Sequence, residues 1–217
     1  MGSSAPRSLS RVFGRQGKGR RVPTSEIRVS FTGPFAWLPG GSVPSVGEAA
    51  ESKRPGIYLW TAPSPKGHLV YYVGETARTV AARIEEHLYE QLSGRYRFYE
   101  PSPFLMGEKK LVWRGVYGQG AQPNVSGFVD QLPTFAPLLT QFVKNMRFLV
   151  ATTDCSDRVR RRIEAALATW FRQQAGLVGE FQDAGIHYEP RLEEEPAVKV
   201  DLAWQEKPIG APDHVEA

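Results

Sequence analysis

The chain has 217 residues, 41% hydrophobic and 23% charged, with one cysteine and a formal net charge of +4. This mixture excludes a wholly disordered chain and a coiled coil. No run approaches the roughly 18 apolar residues of a membrane span, and a single cysteine leaves no intrachain disulfide or cysteine-rich zinc site. The charge is uneven: residues 1–25 hold six basic residues and no acid, residues 26–177 carry a net +5 and residues 178–217 a net −7. A basic arm and middle suit a polyanion such as nucleic acid, whereas the acidic end does not. The basic N-terminus lacks a following apolar run, so no secretory signal is expected, and a cytoplasmic setting is.

Residues 1–50, rich in Ser, Gly, Pro and Arg, read as a largely disordered or looped arm, with a short strand at 27–31 (IRVSF). Residues 56–61 (GIYLWT) and 69–73 (LVYYV) are β-rich runs joined by turn chemistry at 63–68, which predicts an antiparallel hairpin. Thr79 caps a predicted helix in which Val80, Ile84 and Leu88 recur every four residues. Arg83 and His87 share one face of that helix. Residues 93–133 read as an insertion, with a strand over 111–117 and a polar loop over 118–127. A helix is expected over 134–145 and a strand over 147–152. A second strong helix, capped by Asp157, runs to about residue 174. The tail from residue 178 is an acidic extension in which 197–204 suggests an edge strand. The expected architecture is α/β (α+β): a small mixed sheet of about three central strands flanked by helices, occupying residues 51–177.

The hairpin carries the most specific signal. It reads Gly56-Ile57-Tyr58, thirteen residues, then Tyr72-Val73-Gly74, followed by a helix with Arg83 and His87 in Arg-x-x-x-His spacing. Over residues 55–175 this resembles the GIY-YIG nuclease superfamily. The resemblance implies metal-dependent hydrolysis of nucleic-acid phosphodiesters, with Mg²⁺ or Mn²⁺ as cofactor. DNA is the expected partner, RNA is the alternative polymer, and a homodimer would serve if both strands are cut. By position, Tyr58 and Tyr72 match the family's two tyrosines, Arg83 its helix arginine and His87 the histidine after it. Glu164, the one acid inside the 158–174 helix, matches its metal-binding glutamate. The family's asparagine after that glutamate has no counterpart, since Asn124 and Asn145 both precede Glu164.

Each residue also has a plain reading. Tyrosine is ordinary strand filler, a helix arginine is usually solvated, and a lone histidine is more often structural. Phosphodiester hydrolysis, however, needs compensation for charge on the transition state and an activated water. Arg83 offers fixed donors for phosphate oxygens. A tyrosine acts as base only if nearby cations lower its pKa. Glu164 borders the apolar stripe of Ile163, Leu167, Trp170 and Phe171, so its carboxylate needs either a metal or one of Arg160, Arg161 and Arg162. Strand alternation predicts Tyr71 and Tyr72 on opposite faces, with Tyr72 in the site. Arg95, Arg97, Lys109, Lys110 and Arg114 interleave with Tyr96, Phe98, Tyr99, Phe104 and Trp113, as in a nucleic-acid surface or a small packed subdomain. The favoured function is a DNA endonuclease; the alternative is a non-catalytic DNA-binding module on the same fold.

Overall fold

The computed structural model describes residues 25–39, 41–118, 122–183 and 186–217; the first 24 residues of the basic arm lie outside them. In chain order the elements are β1 (Ser25–Ala36), β2 (Gly56–Ser64), β3 (Gly67–Thr76), α1 (Val80–Leu92), β4 (Phe98–Tyr99), α2 (Pro101–Leu105), β5 (Leu111–Trp113), α3 (Val125–Asn145), β6 (Arg147–Thr152), α4 (Asp157–Gln173), α5 (Leu177–Phe181), β7 (Val198–Trp204) and β8 (His214–Glu216). The main sheet has six strands among the described residues, in the order β3-β2-β6-β1-β7-β8. It is mixed: β1 and β7 run parallel, and every other neighbouring pair is antiparallel. The expectation of about three central strands is thus corrected to six.

Two causes account for the difference. The apolar run Val29, Phe31 continues through Phe35 and Ala36 as one buried strand, so residues 25–36 become an inner strand and not a loop. The acidic tail then supplies β7, whose residues Val198, Val200 and Leu202 face the core, and β8 covers its outer edge. β7 is therefore not the edge strand the sequence suggested.

Helices pack on both faces. Tyr58, Trp60, Phe148 and Val150 face α1, α2 and α3, while Ile57, Leu59, Leu149 and Ala151 face α4. β2 and β6 are consequently apolar on both sides, as central strands must be. α1 begins where Thr79 Oγ1 accepts from the Ala82 N–H, a cap worth about 1 kcal/mol. α4 is capped by Ser156 and not Asp157, and it buries Ile163, Leu167, Ala168 and Phe171 at helical spacing. α3 starts nine residues before residue 134, at Val125, and carries Pro133 and Pro137 inside it. Among the described residues no helix is long and apolar enough to cross a membrane.

The insertion 93–133 is packed structure. Phe98, Tyr99, Phe104 and Trp113 are buried in the core on the α1–α3 side, so they are not free to stack on bases. The Arg160–Arg162 triplet is likewise spent internally. Arg160, 2% exposed, pairs with Glu75 and Asp157; Arg162 donates to the Pro196 and Ala217 carbonyls; Arg161 reaches Glu75 and Glu189.

Gly56 sits where β2 presses on β6, and a Cβ there would overlap the Ala151 carbonyl oxygen. Backbone on a central strand gives little, so Gly56→Ala should cost about 1–3 kcal/mol of stability. Urea unfolding checks it: the midpoint should fall with the slope unchanged, and a midpoint at the wild-type value would count against this close approach.

Candidate active site at the edge of β3

β3 is an edge strand with helices on both of its faces, so charges on either layer act on side chains at its rim. α1 lies on one face of the hairpin and α4 packs on the other face of β3. The five residues singled out in the sequence come from four elements: Tyr58 from β2, Tyr72 from β3, Arg83 and His87 from α1, and Glu164 from α4.

Tyr58 pairs across the hairpin with Gly74. A Cβ on Gly74 would stand 2.5 Å from the Tyr58 hydroxyl, so the ring lies directly over glycine backbone. From there its hydroxyl meets His87 Nε2 at 2.8 Å, and His87 Nδ1 meets the Tyr96 hydroxyl at 3.0 Å. A neutral imidazole has one N–H and one lone pair, so these two bonds run in opposite senses. The Tyr58–His87–Tyr96 chain can therefore pass a proton between phenols with no net charge on the ring.

Tyr71 and Tyr72 do not alternate. The β2–β3 register slips between Trp60↔Tyr72 and Thr61↔Val70, which leaves Tyr71 as the extra residue of a β-bulge. Both rings then lie on the Trp60 side, at 6.4 and 5.6 Å between centroids. This corrects the expectation of opposite faces. Tyr71 packs on Tyr99, Phe104 and Phe181, while Tyr72 is half-buried beside Tyr58 at 6.1 Å.

Burial dominates the electrostatics. Tyr58 is 0% exposed, and burial, then Tyr72, raises its pKa well above the usual phenol value. Arg83 pulls the other way and loses. Burial and Glu164 push Tyr72 up to about 12. Neither phenol is thus the activated base that nearby cations were expected to produce. Burial, then the Arg83 cation, lowers His87 to about 3. For Arg83 itself burial opposes the charge, but the Tyr58 phenol and the Glu86 carboxylate outweigh it and hold the guanidinium charged. Glu86 lies 3.0 Å away and is shared with Arg78.

Glu164 has no ion-pair partner of its own, although the Glu75 backbone N–H and the Arg161 charge favour its ionised form. Burial and the neighbouring Glu75 push its carboxyl up to about 8. Among the described residues no Lys, Arg or His nitrogen pairs with it, because Arg160 and Arg161 go to Glu75 instead. A half-buried carboxylate beside a second carboxylate, with no cation of its own, fits an oxygen-ligated divalent ion such as Mg²⁺ or Mn²⁺. Among the described residues no group of three or more His, Cys, Asp and Glu side chains that could hold a metal ion forms.

Sequence reasoning missed four partners. Glu75 follows the glycine of the second motif directly, and Tyr96 lies nine residues after His87; their roles appear only in three dimensions. Glu86 was visible at three-residue spacing from Arg83. Tyr188 comes from the tail: its hydroxyl donates to the Val73 carbonyl at 3.2 Å, and Arg172 lies over its ring at 4.8 Å. No family model, curated protein or solved structure matches this chain.

The histidine supplies a direct check. Its folded pKa lies below the ordinary 6.5, so it contributes stability above about pH 6.5 that is lost as pH falls toward about 3. The His87 ring resonances should not titrate between pH 5 and 8 by NMR. A midpoint near 6.5 would show an imidazole open to solvent.

Proposed function

We propose that this chain is a divalent-metal-dependent endonuclease that hydrolyses DNA phosphodiester bonds, with a site resembling that of GIY-YIG nucleases. The observation carrying this reading is convergence: Tyr58, Tyr72, Arg83 and His87 come together on one face of the hairpin, and the Glu164 carboxyl on α4 bears electrostatically on both phenols. Filler tyrosines and a solvated arginine would not be expected to share one site with a neutral, buried histidine.

Arg83 binds the scissile phosphate, because its guanidinium stays charged and faces the cavity at the site. It compensates the charge that grows on the phosphoryl oxygens. Of the two motif phenols, Tyr72 lines the cavity, so it touches the attacking water; Tyr58 stands behind it and hands protons to His87 and Tyr96. Glu164, with Glu75 beside it, would hold the divalent ion, which when bound polarises the phosphate and favours the leaving oxygen. A cation and a phosphate entering together also offset the burial that keeps the phenols protonated. The cytoplasm is the proposed compartment, in keeping with the lone, unpaired Cys155.

One observation favours a second reading, a DNA-binding module without catalysis: the phenols are held protonated and Tyr58 is sealed. Supercoiled plasmid incubated with Mg²⁺ or Mn²⁺ separates the two. The nuclease reading expects nicked or linear product that falls at least about a hundredfold in Arg83→Ala and in Glu164→Gln, with both variants still folded. Salt-sensitive DNA binding with no cleavage under either metal would select the binding module.

A further inference from the structure

Beside the candidate site opens a cavity of about 400 Å³, which falls in the size range of small-ligand pockets. Tyr72, Arg83 and His87 form its inner end. The segment between α1 and α3 forms its outer wall, through Arg95, Tyr96, Arg97, Arg114 and Tyr117. Its lining holds four arginines and one carboxylate, Asp183; Glu86 and Glu90, outside the lining, pair with Arg83 and Arg95 at 3.0 Å each. Hydrolysis at one phosphate explains the inner end. It explains neither the outer cations nor the aromatic lining.

The outer wall is built and not frayed. The Trp113 indole donates to the Gly94 carbonyl at 2.6 Å, and the Val116 N–H donates to the same carbonyl at 3.0 Å. Gly115, at φ +88°, presses on the Arg95 carbonyl, where a Cβ would stand 2.5 Å from the oxygen. These ties hold the strands of the segment side by side and carry Arg95, Arg114 and Tyr117 to one rim. Tyr117 is 53% exposed, and the Arg95 guanidinium lies 5.7 Å from its ring centroid. Arg114 is exposed and makes no hydrogen bond or ion pair among the described residues. Tyr96 is fixed by its bond to His87, so its ring is a rigid part of the wall.

We infer that this cavity receives one unstacked nucleobase of the DNA strand being cut, stacked on Tyr117, with the neighbouring phosphates held by Arg95 and Arg114. The inference rests on the nuclease reading for the identity of the strand. Aromatic rings with interleaved cations are the chemistry of single-strand binding, because every base has a face to stack and every nucleotide a phosphate. A duplex must first unstack the base, which costs a few kcal/mol, so the pocket selects single-stranded, flapped or distorted DNA over a relaxed duplex.

The test is fluorescence anisotropy in EDTA, where no cleavage is needed. The probes are a short labelled single-stranded DNA, the same backbone with abasic sugars in place of its central nucleotides, and the matching duplex. The base-bearing strand should bind about tenfold or more tighter than the abasic one, and also tighter than the duplex. Tyr117→Ala should remove that preference, Tyr117→Phe should keep it, and Arg114→Ala should weaken the base-bearing and abasic strands alike and flatten the salt dependence. Equal affinity for base-bearing and abasic strands overturns the inference, as does a preference that survives Tyr117→Ala. Either of those results leaves the nuclease reading standing. A base preference on a chain that cuts no DNA supports the pocket and removes the nuclease reading instead.

Discussion

The Tyr58 ring lying across the bare backbone of Gly74 is the contact on which the site depends. Any side chain on Gly74 would meet that ring, so the second motif's glycine makes room for the first motif's tyrosine. With the ring laid flat, the hydroxyl arrives at His87 on α1 and fixes the imidazole between two phenols. α1 is thereby tied to the hairpin by a buried polar bond as well as by Val80 and Ile84. Arg83, one turn earlier on the same helix, is carried to the cavity as a consequence.

The bulge at Tyr71 does the rest of the positioning. A regular strand would send one of the two adjacent tyrosines to the α4 side. The extra residue lets Tyr71 fill the core against Phe104 and Phe181 while Tyr72 stays beside Tyr58. The bulge also lies on an exposed edge, which a protein must cover. Here the chain after α5 does so: the Asp183 N–H donates to the Tyr71 carbonyl, the Gln182 amide to that of Val70, and the Tyr188 hydroxyl to that of Val73. The acidic tail is therefore part of the cavity's frame, and its Asp183 and Tyr188 bear electrostatically on the site.

What the sequence made legible is what short-range pattern encodes. The hairpin, α1 with its Thr79 cap, β6 and α4 each carry their own periodicity and ends. The pairing of β1 with β7 joins Ser25 to Val198 across the length of the chain, and no local pattern records that. The first half of α3 is hidden from sequence pattern because Pro133, which cannot donate to the ladder, lies inside the helix and interrupts it just before residue 134. The Tyr71 bulge was missed for a related reason, since strand alternation assumes a register that the partner strand sets. The motif spacing named Tyr58, Tyr72, Arg83 and His87, which the structure brings onto one face of the hairpin, and Glu164 was named as the one acid inside its helix. The partners that define their chemistry, Tyr96, Glu75 and Tyr188, are supplied by tertiary contact.

Burial and charge compete throughout this site, and burial wins at every group except Arg83. It holds two phenols protonated, keeps His87 neutral and lifts Glu164 to about 8. Arg83 escapes because it is only half-buried and faces acidic partners. A site in this state has one fixed positive charge and one carboxylate that resists ionising. Arg83 already pairs with Glu86 at 3.0 Å, so Glu164 is the group of the two that lacks an ion-pair partner. A phosphate alone would make Glu164 harder still to ionise, whereas a cation beside it would favour the carboxylate. On the proposed reading, a cation and a phosphate would each favour binding of the other. The same pair is what would bring the Tyr72 phenol toward the range in which it can accept a proton.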